Sequence, residues 1–159
     1  QHLVSMGHEK IGYLGAPYDI MCSKKRAEGL QKYLKEVNHP LNDDYIYFLE
    51  HGNMSLIKPL EQFIKMGVTA LFCFNDTMAY EAITHLAQLN IKVPKDILVV
   101  GYDNIEDFLR VPVGLTSVSC DKKELAGESV RVLLKKIDDP NLSMARIVKS
   151  TRLVLRKTA

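Results

Sequence analysis

Tryptophan is missing from this 159-residue chain, aromatic residues make up only 8% of it, and cysteine occurs three times. Cys22, Cys73 and Cys120 stand far apart and are odd in number. That excludes a disulfide framework and argues for a reducing compartment, the cytoplasm. The longest apolar stretches, such as Ile97 to Gly101, run to a few residues, whereas a membrane-spanning helix needs about 20. No charge sign dominates: 21 Lys and Arg face 19 Asp and Glu, for a formal net charge of +2. The basic residues are scattered and form no stripe of the kind that nucleic acid selects. No Cys or His pair has metal-ligand spacing. Gly-x-Gly-x-x-Gly, Walker and Gly-x-Ser-x-Gly strings are absent, and no nucleophile has a visible base. These absences argue against an enzyme, a metal site and a bound cofactor. What remains is an ordinary soluble globular composition, with 47% hydrophobic and 25% charged residues.

The apolar pattern alternates between two periods. Ile11 to Gly15, Tyr45 to Leu49, Val68 to Phe74, Ile97 to Gly101 and Leu115 to Val118 read as short buried strands. Between them apolar residues recur at helical spacing: Ala27 to Val37 behind a cap at Ser23, Leu56 to Ile64 behind Ser55, Met78 to Leu89, and Lys122 to Ile137 behind Asp121. Arg146 to Val148 and Thr151 to Leu155 complete the strands. Gln1 to Gly7 reads as the tail of a helix stopped by glycine, so the chain is expected to be a piece of a longer protein. This order predicts an α/β fold, a parallel sheet with helices on both faces.

In such sheets ligands bind beyond the carboxyl ends of the strands. Polar clusters fall at those ends: Ala16 to Arg26, Glu50-His51, Asn75-Asp76 and Asp103-Asn104. Arg26 offers a planar fork of donors for vicinal hydroxyls or a carboxylate, or it is a solvated arginine on a helix face. Asn75 and Asp76 are both good helix caps. One of them is expected to cap, and the other is left for a ligand. Asp103 is either an Asx-turn residue or a carboxylate accepting two hydroxyls. Cys22 in the first loop and His51 after the second strand are further candidates.

Several strings resemble one family. His2-Leu3-Val4-Ser5-Met6-Gly7-His8-Glu9-Lys10-Ile11, Arg26-Ala27-Glu28-Gly29-Leu30, Phe74-Asn75-Asp76-Thr77-Met78-Ala79, Val93-Pro94-Lys95-Asp96-Ile97 through Gly101-Tyr102-Asp103-Asn104, and Leu115-Thr116-Ser117-Val118 with the later Leu125-Ala126 and Leu133-Leu134 are similar to ordered motifs of the lactose-repressor/galactose-repressor (LacI/GalR) family of bacterial transcription regulators. The matches extend over nearly the whole chain.

The resemblance implies one lobe of a two-lobed, periplasmic-binding-protein-like effector domain of type I, plus a return segment of the other lobe. Residues 1–110 are expected to form the carboxyl-terminal lobe, and 111–144 a strand and helix belonging to an absent amino-terminal lobe. Residues 145–159 would then return to the first. It implies a small-molecule effector, a sugar or sugar derivative, held by Arg26, Asn75 and Asp103, with Cys22 and His51 as looser matches. It implies a homodimer that uses Met78, Ala82, Ile105 and Leu109, and operator DNA bound only through a domain absent here. The alternative is a solute-binding protein of a sugar transport system. The apolar stripe of 115–138 lacks its lobe, so it is expected to fold back onto the sheet, pair with another copy or be poorly ordered.

Overall fold

The computed structural model describes residues 1–39, 41–53, 55–107, 114–143 and 146–159. Six strands form one sheet in the order β2-β1-β3-β4-β5-β6. They are β1 (Ile11–Gly15), β2 (Ile46–Phe48), β3 (Ala70–Cys73), β4 (Leu98–Tyr102), β5 (Thr116–Cys120) and β6 (Thr151–Val154). The first five pair in parallel and β6 closes the edge antiparallel to β5. The helices are α1 (His2–Ser5), α2 (Met21–Glu36), α3 (Ile57–Lys65), α4 (Asp76–Gln88) and α5 (Lys122–Asp138).

Strand alternation splits the apolar residues between two cores. Leu14, Leu71, Cys73 and Val99 point to one face and meet α3 and α4 through Leu60, Phe63, Met78, Ala82 and Leu86. Ile11, Ala70, Leu98 and Val100 point to the other and meet α1 and α2 through Leu3 and Leu34. Tyr13, fully buried, also carries a polar atom inside. Its hydroxyl donates to the Ser23 carbonyl at 2.8 Å, and burial pushes its pKa up to about 12.

Because β1 lies between β2 and β3, the chain reverses its direction across the sheet there. The helix after β1 packs on one face and the helix after β3 on the other. Such a switch opens a crevice at the carboxyl ends of β1 and β3. Beside it Gly101 permits a close approach. A Cβ there would overlap the Asp76 carboxylate and stand 2.9 Å from Leu115 Cδ2.

Several expectations need correction. The Leu115 to Val118 strand, expected in the absent lobe, instead pairs on both sides inside this sheet as β5. Arg146 to Val148 is not a strand. Ser23 does not cap α2. It is buried in the first turn, and its hydroxyl donates to the Ala16 carbonyl at 3.0 Å. Ser55 does not open α3, whose cap is Leu56. Gly7, at φ +86°, does end α1. Asp121 caps α5, accepting from the Glu124 amide at 2.8 Å.

The stripe on α5 does not fold back onto the sheet, contrary to one expectation. The helix is continuous and has no buried residue, with Val130, Leu133, Leu134 and Ile137 between 56% and 64% exposed. The expected boundaries at 110/111 and 144/145 lie outside the described residues.

Gly101→Ala is expected to destabilise the folded protein by about 1–3 kcal/mol, because backbone or carboxylate must move to admit the methyl. Urea unfolding of the variant against the natural protein measures this, and an unchanged midpoint would refute the close-approach reading.

Candidate functional site

Three strand ends meet at the crevice. Arg26 lies in α2, one turn beyond Cys22 on the same helix face. Its guanidinium reaches the ends of β3 and β4. One nitrogen donates to the Phe74 carbonyl at the end of β3, and another lies 3.6 Å from Asp103 Oδ1 beyond β4. The guanidinium stacks over the Tyr102 ring, 3.5 Å from its centroid, with the Phe74 ring at 4.7 Å. Its side chain is 19% exposed, so this is not a solvated surface arginine. Asp103 is 42% exposed, which leaves its carboxylate open to a ligand.

The choice between Asn75 and Asp76 resolves by burial. Asn75 caps α4, its Oδ1 accepting from the Met78 amide at 2.9 Å. That leaves the side-chain NH2 to offer a ligand. Asp76 does not face the crevice, contrary to the expectation that the non-capping residue would be free. It is 1% exposed. It accepts from the Ser117 hydroxyl at 2.6 Å and the Ile105 amide at 2.8 Å, stitching α4 to β5 and to the turn after β4. A buried carboxylate without such donors would cost several kcal/mol.

That turn is unusual. Asp103 has φ +106° and Asn104 φ +50°, successive left-handed residues without glycine. Three consecutive amides hold them: Asp103 donates to the Val118 carbonyl at 2.9 Å, Asn104 to Ser117 Oγ at 3.0 Å, and Ile105 to Asp76. Lys122, at the start of α5, donates to the Asp103 carbonyl. Sequence reasoning did not single out Tyr102 or Ser117 as parts of this site, although both lie inside the matched strings, and it missed Lys122, which no local pattern marks.

The other candidates fall elsewhere. Cys22 is exposed in the first turn of α2 rather than in a loop. His51 is also exposed. Its Nε2 lies 2.8 and 3.0 Å from the two Asp19 oxygens, linking the loops after β1 and β2. Among the described residues no hydrogen bond joins it to Arg26, Asn75 or Asp103. Met78 and Ala82, expected at a dimer surface, are 5% and 0% exposed in the chain's own core, because they lie on the face of α4 that packs on the sheet. The partly exposed face of that helix carries Tyr80, Ile83, Thr84 and Ala87. Ile105 is half-buried, and Leu109 lies outside the described residues.

The whole chain, residues 1–159, matches the model of the periplasmic binding protein-like domain. The chain belongs to that family. It is 34% identical over 160 residues to the HTH-type transcriptional repressor PurR of Aliivibrio salmonicida, covering 99% of this chain and 48% of that protein. Its fold is similar to that of the Escherichia coli transcriptional repressor ascG. There the TM-score is 0.85 at 25% identity, covering 99% of this chain and 58% of that one. The Lac repressor bound to ONPG gives a TM-score of 0.76 at 30% identity, over 99% and 48% of the two chains. These relatives are repressors of the kind the motifs resemble, and this chain spans about half the length of the curated relatives it matches. No helix among the described residues is long and apolar enough to cross a membrane.

Burial holds the Asp76 carboxyl above its ordinary range, against the opposing pull of its Ser117 and Ile105 donors. The folded state therefore binds that proton more readily than the unfolded chain. The carboxyl's contribution to stability is fully present below the unfolded value of 3.8 and is lost as pH rises through the raised folded value. Asp76→Asn removes this titrating carboxyl, so the variant lacks its pH-dependent contribution. In paired urea unfolding, the stability of the natural protein relative to the variant is expected to fall as pH rises from below 3.8. A difference that stays flat would contradict the shift.

Proposed function

We propose that this chain is the ligand-sensing, carboxyl-terminal part of the effector domain of a LacI/GalR-type transcriptional repressor. The observation that carries the reading is the meeting of Arg26, Phe74-Asn75 and Tyr102-Asp103 at the crevice of the sheet. An arginine fork, an amide and a half-exposed carboxylate, floored by aromatic rings, suit a polyhydroxylated guest such as a sugar or sugar derivative. The fork donates, the carboxylate accepts two hydroxyls, and a ring offers a stacking face. The repressor relatives favour this over a solute-binding protein for transport, and they support a non-enzymatic, cytoplasmic regulator.

In this reading one lobe presents half a cleft. Micromolar affinity requires about −8 kcal/mol, and each charge-assisted hydrogen bond contributes about 1.5–3 kcal/mol. A second lobe must supply the rest and exclude water. The exposed apolar face of α5 belongs with that lobe, which accounts for a continuous helix with no buried residue in this chain. Effector contacts made only in the closed form shift the lobes, and the shift reaches operator DNA through a separate binding domain. The homodimer forms on the partly exposed face of α4, around Tyr80, Thr84 and Ala87, in place of the buried Met78 and Ala82.

Two measurements test this reading on the full-length protein. Arg26→Ala and Asp103→Ala are each expected to weaken the effector response about 10- to 100-fold while effector-free operator binding changes little. Normal responses in both would defeat the site assignment. Ala87→Glu places a charge on the partly exposed face of α4 and is expected to shift sedimentation from dimer toward monomer. An unaltered dimer would move the interface elsewhere.

A further inference from the structure

We propose that Arg156, beyond the end of β6, is the positioning residue that holds the Asp103 carboxylate toward the crevice and ties it to α4. The inference rests on the reading of Asp103 as an effector contact and adds a residue that touches no effector.

The guanidinium of Arg156 meets three described elements at once. It donates to Asn104 Oδ1 at 2.7 Å and to the Leu115 carbonyl at 2.8 Å, and its Nε lies 3.1 Å from Glu106 Oε2. Its side chain is 20% exposed and that of Glu106 15%. The other Glu106 oxygen accepts from the Tyr80 hydroxyl and from the Leu115 amide, each at 2.5 Å. One cation thus joins the left-handed turn after β4, the start of β5 and, through Glu106 and Tyr80, the partly exposed face of α4.

The backbone explains why such a clamp is needed. Side chains rarely adopt the left-handed region, and two successive non-glycine residues there persist only when their surroundings hold them. Asn104 is 1% exposed, and its amide oxygen points at Arg156. If that anchor is lost, the turn can relax toward ordinary backbone angles, which re-aims the adjoining Asp103 carboxylate away from Arg26. A lysine keeps the charge beside Glu106 but is a point donor. It cannot serve Asn104, Leu115 and Glu106 together as a planar fork does. Arg156 therefore acts by geometry more than by charge. The same link gives a rearrangement at Asp103 a physical route to the helix on which the dimer is proposed to form.

The test reads backbone amide hydrogen exchange at Asp103, Asn104 and Ile105 in the full-length protein, whose acceptors are Val118, Ser117 and Asp76. Arg156→Lys is expected to speed exchange at these amides by about tenfold or more while those of β1 and β3 keep their rates. Unchanged protection in Arg156→Lys overturns the inference, because a point charge then suffices. If Arg156→Lys fails to fold, Asn104→Asp, which keeps the oxygen facing Arg156, should retain protection where Asn104→Ser loses it. Equal protection in those two also overturns it.

Calorimetric titration with ONPG, the compound bound to the Lac repressor relative, is run on the natural protein, Asp103→Ala and Arg156→Lys. Binding weakened in both variants supports the inference. Faster exchange in Arg156→Lys with binding unaltered in both variants leaves the clamp standing and defeats the reading of Asp103 as an effector contact.

Discussion

The site depends on one cation reaching across a topological reversal. Arg26 begins in the helix after β1, yet its guanidinium lies on Tyr102, bonds to the Phe74 carbonyl and faces Asp103. These partners end two different strands, β3 and β4. A guanidinium suits this place because its flat faces stack on rings while its edge donates in plane. The rings also shield it from water, which strengthens an ion pair that would contribute little at an open surface. The groups lining the crevice are therefore held in place by the sheet, as the proposed effector site requires.

Behind that surface lies a second polar layer, beneath the turn after β4. Asp76, Ser117, Asn104, Glu106, Tyr80 and Arg156 satisfy one another there. Networks of this kind are costly when broken and specific when complete. Here the network fixes a backbone conformation that side chains resist, and it does so with residues drawn from α4, β5 and the chain's last segment. Gly101 belongs to the same arrangement, because only a residue without a Cβ lets Asp76 sit against β4. The exposed stripe of α5 shows the opposite case: apolar residues at regular helical spacing with nothing among the described residues to cover them.

Much of the fold was legible from periodicity. The uniformly apolar runs announced parallel strands because both faces of such a sheet are covered, and the motif at Asn75 announced a cap because its oxygen suits the first helical turn. Legibility failed where one period serves two faces. Helical spacing put Met78 and Ala82 on a stripe, but whether a stripe faces the sheet or a partner is decided by packing. The resemblance put β5 in the other lobe, and its apolar pattern could not correct that, since an apolar strand carries no label saying which sheet it joins. The choice between Asn75 and Asp76 stays open in the sequence because no local signal shows that Ser117, forty-one positions later, donates to Asp76.

The chain by itself determined the alternation of strands and helices, the polar clusters at strand ends and the family resemblance, because these are written in neighbouring residues and their spacing. Only the tertiary structure decided which of those clusters touch, that Arg26 is clamped by rings rather than solvated, and that Arg156 joins the turn at Asp103. Such contacts depend on strand order and on burial, and both arise from the packing of distant segments, which local spacing does not encode.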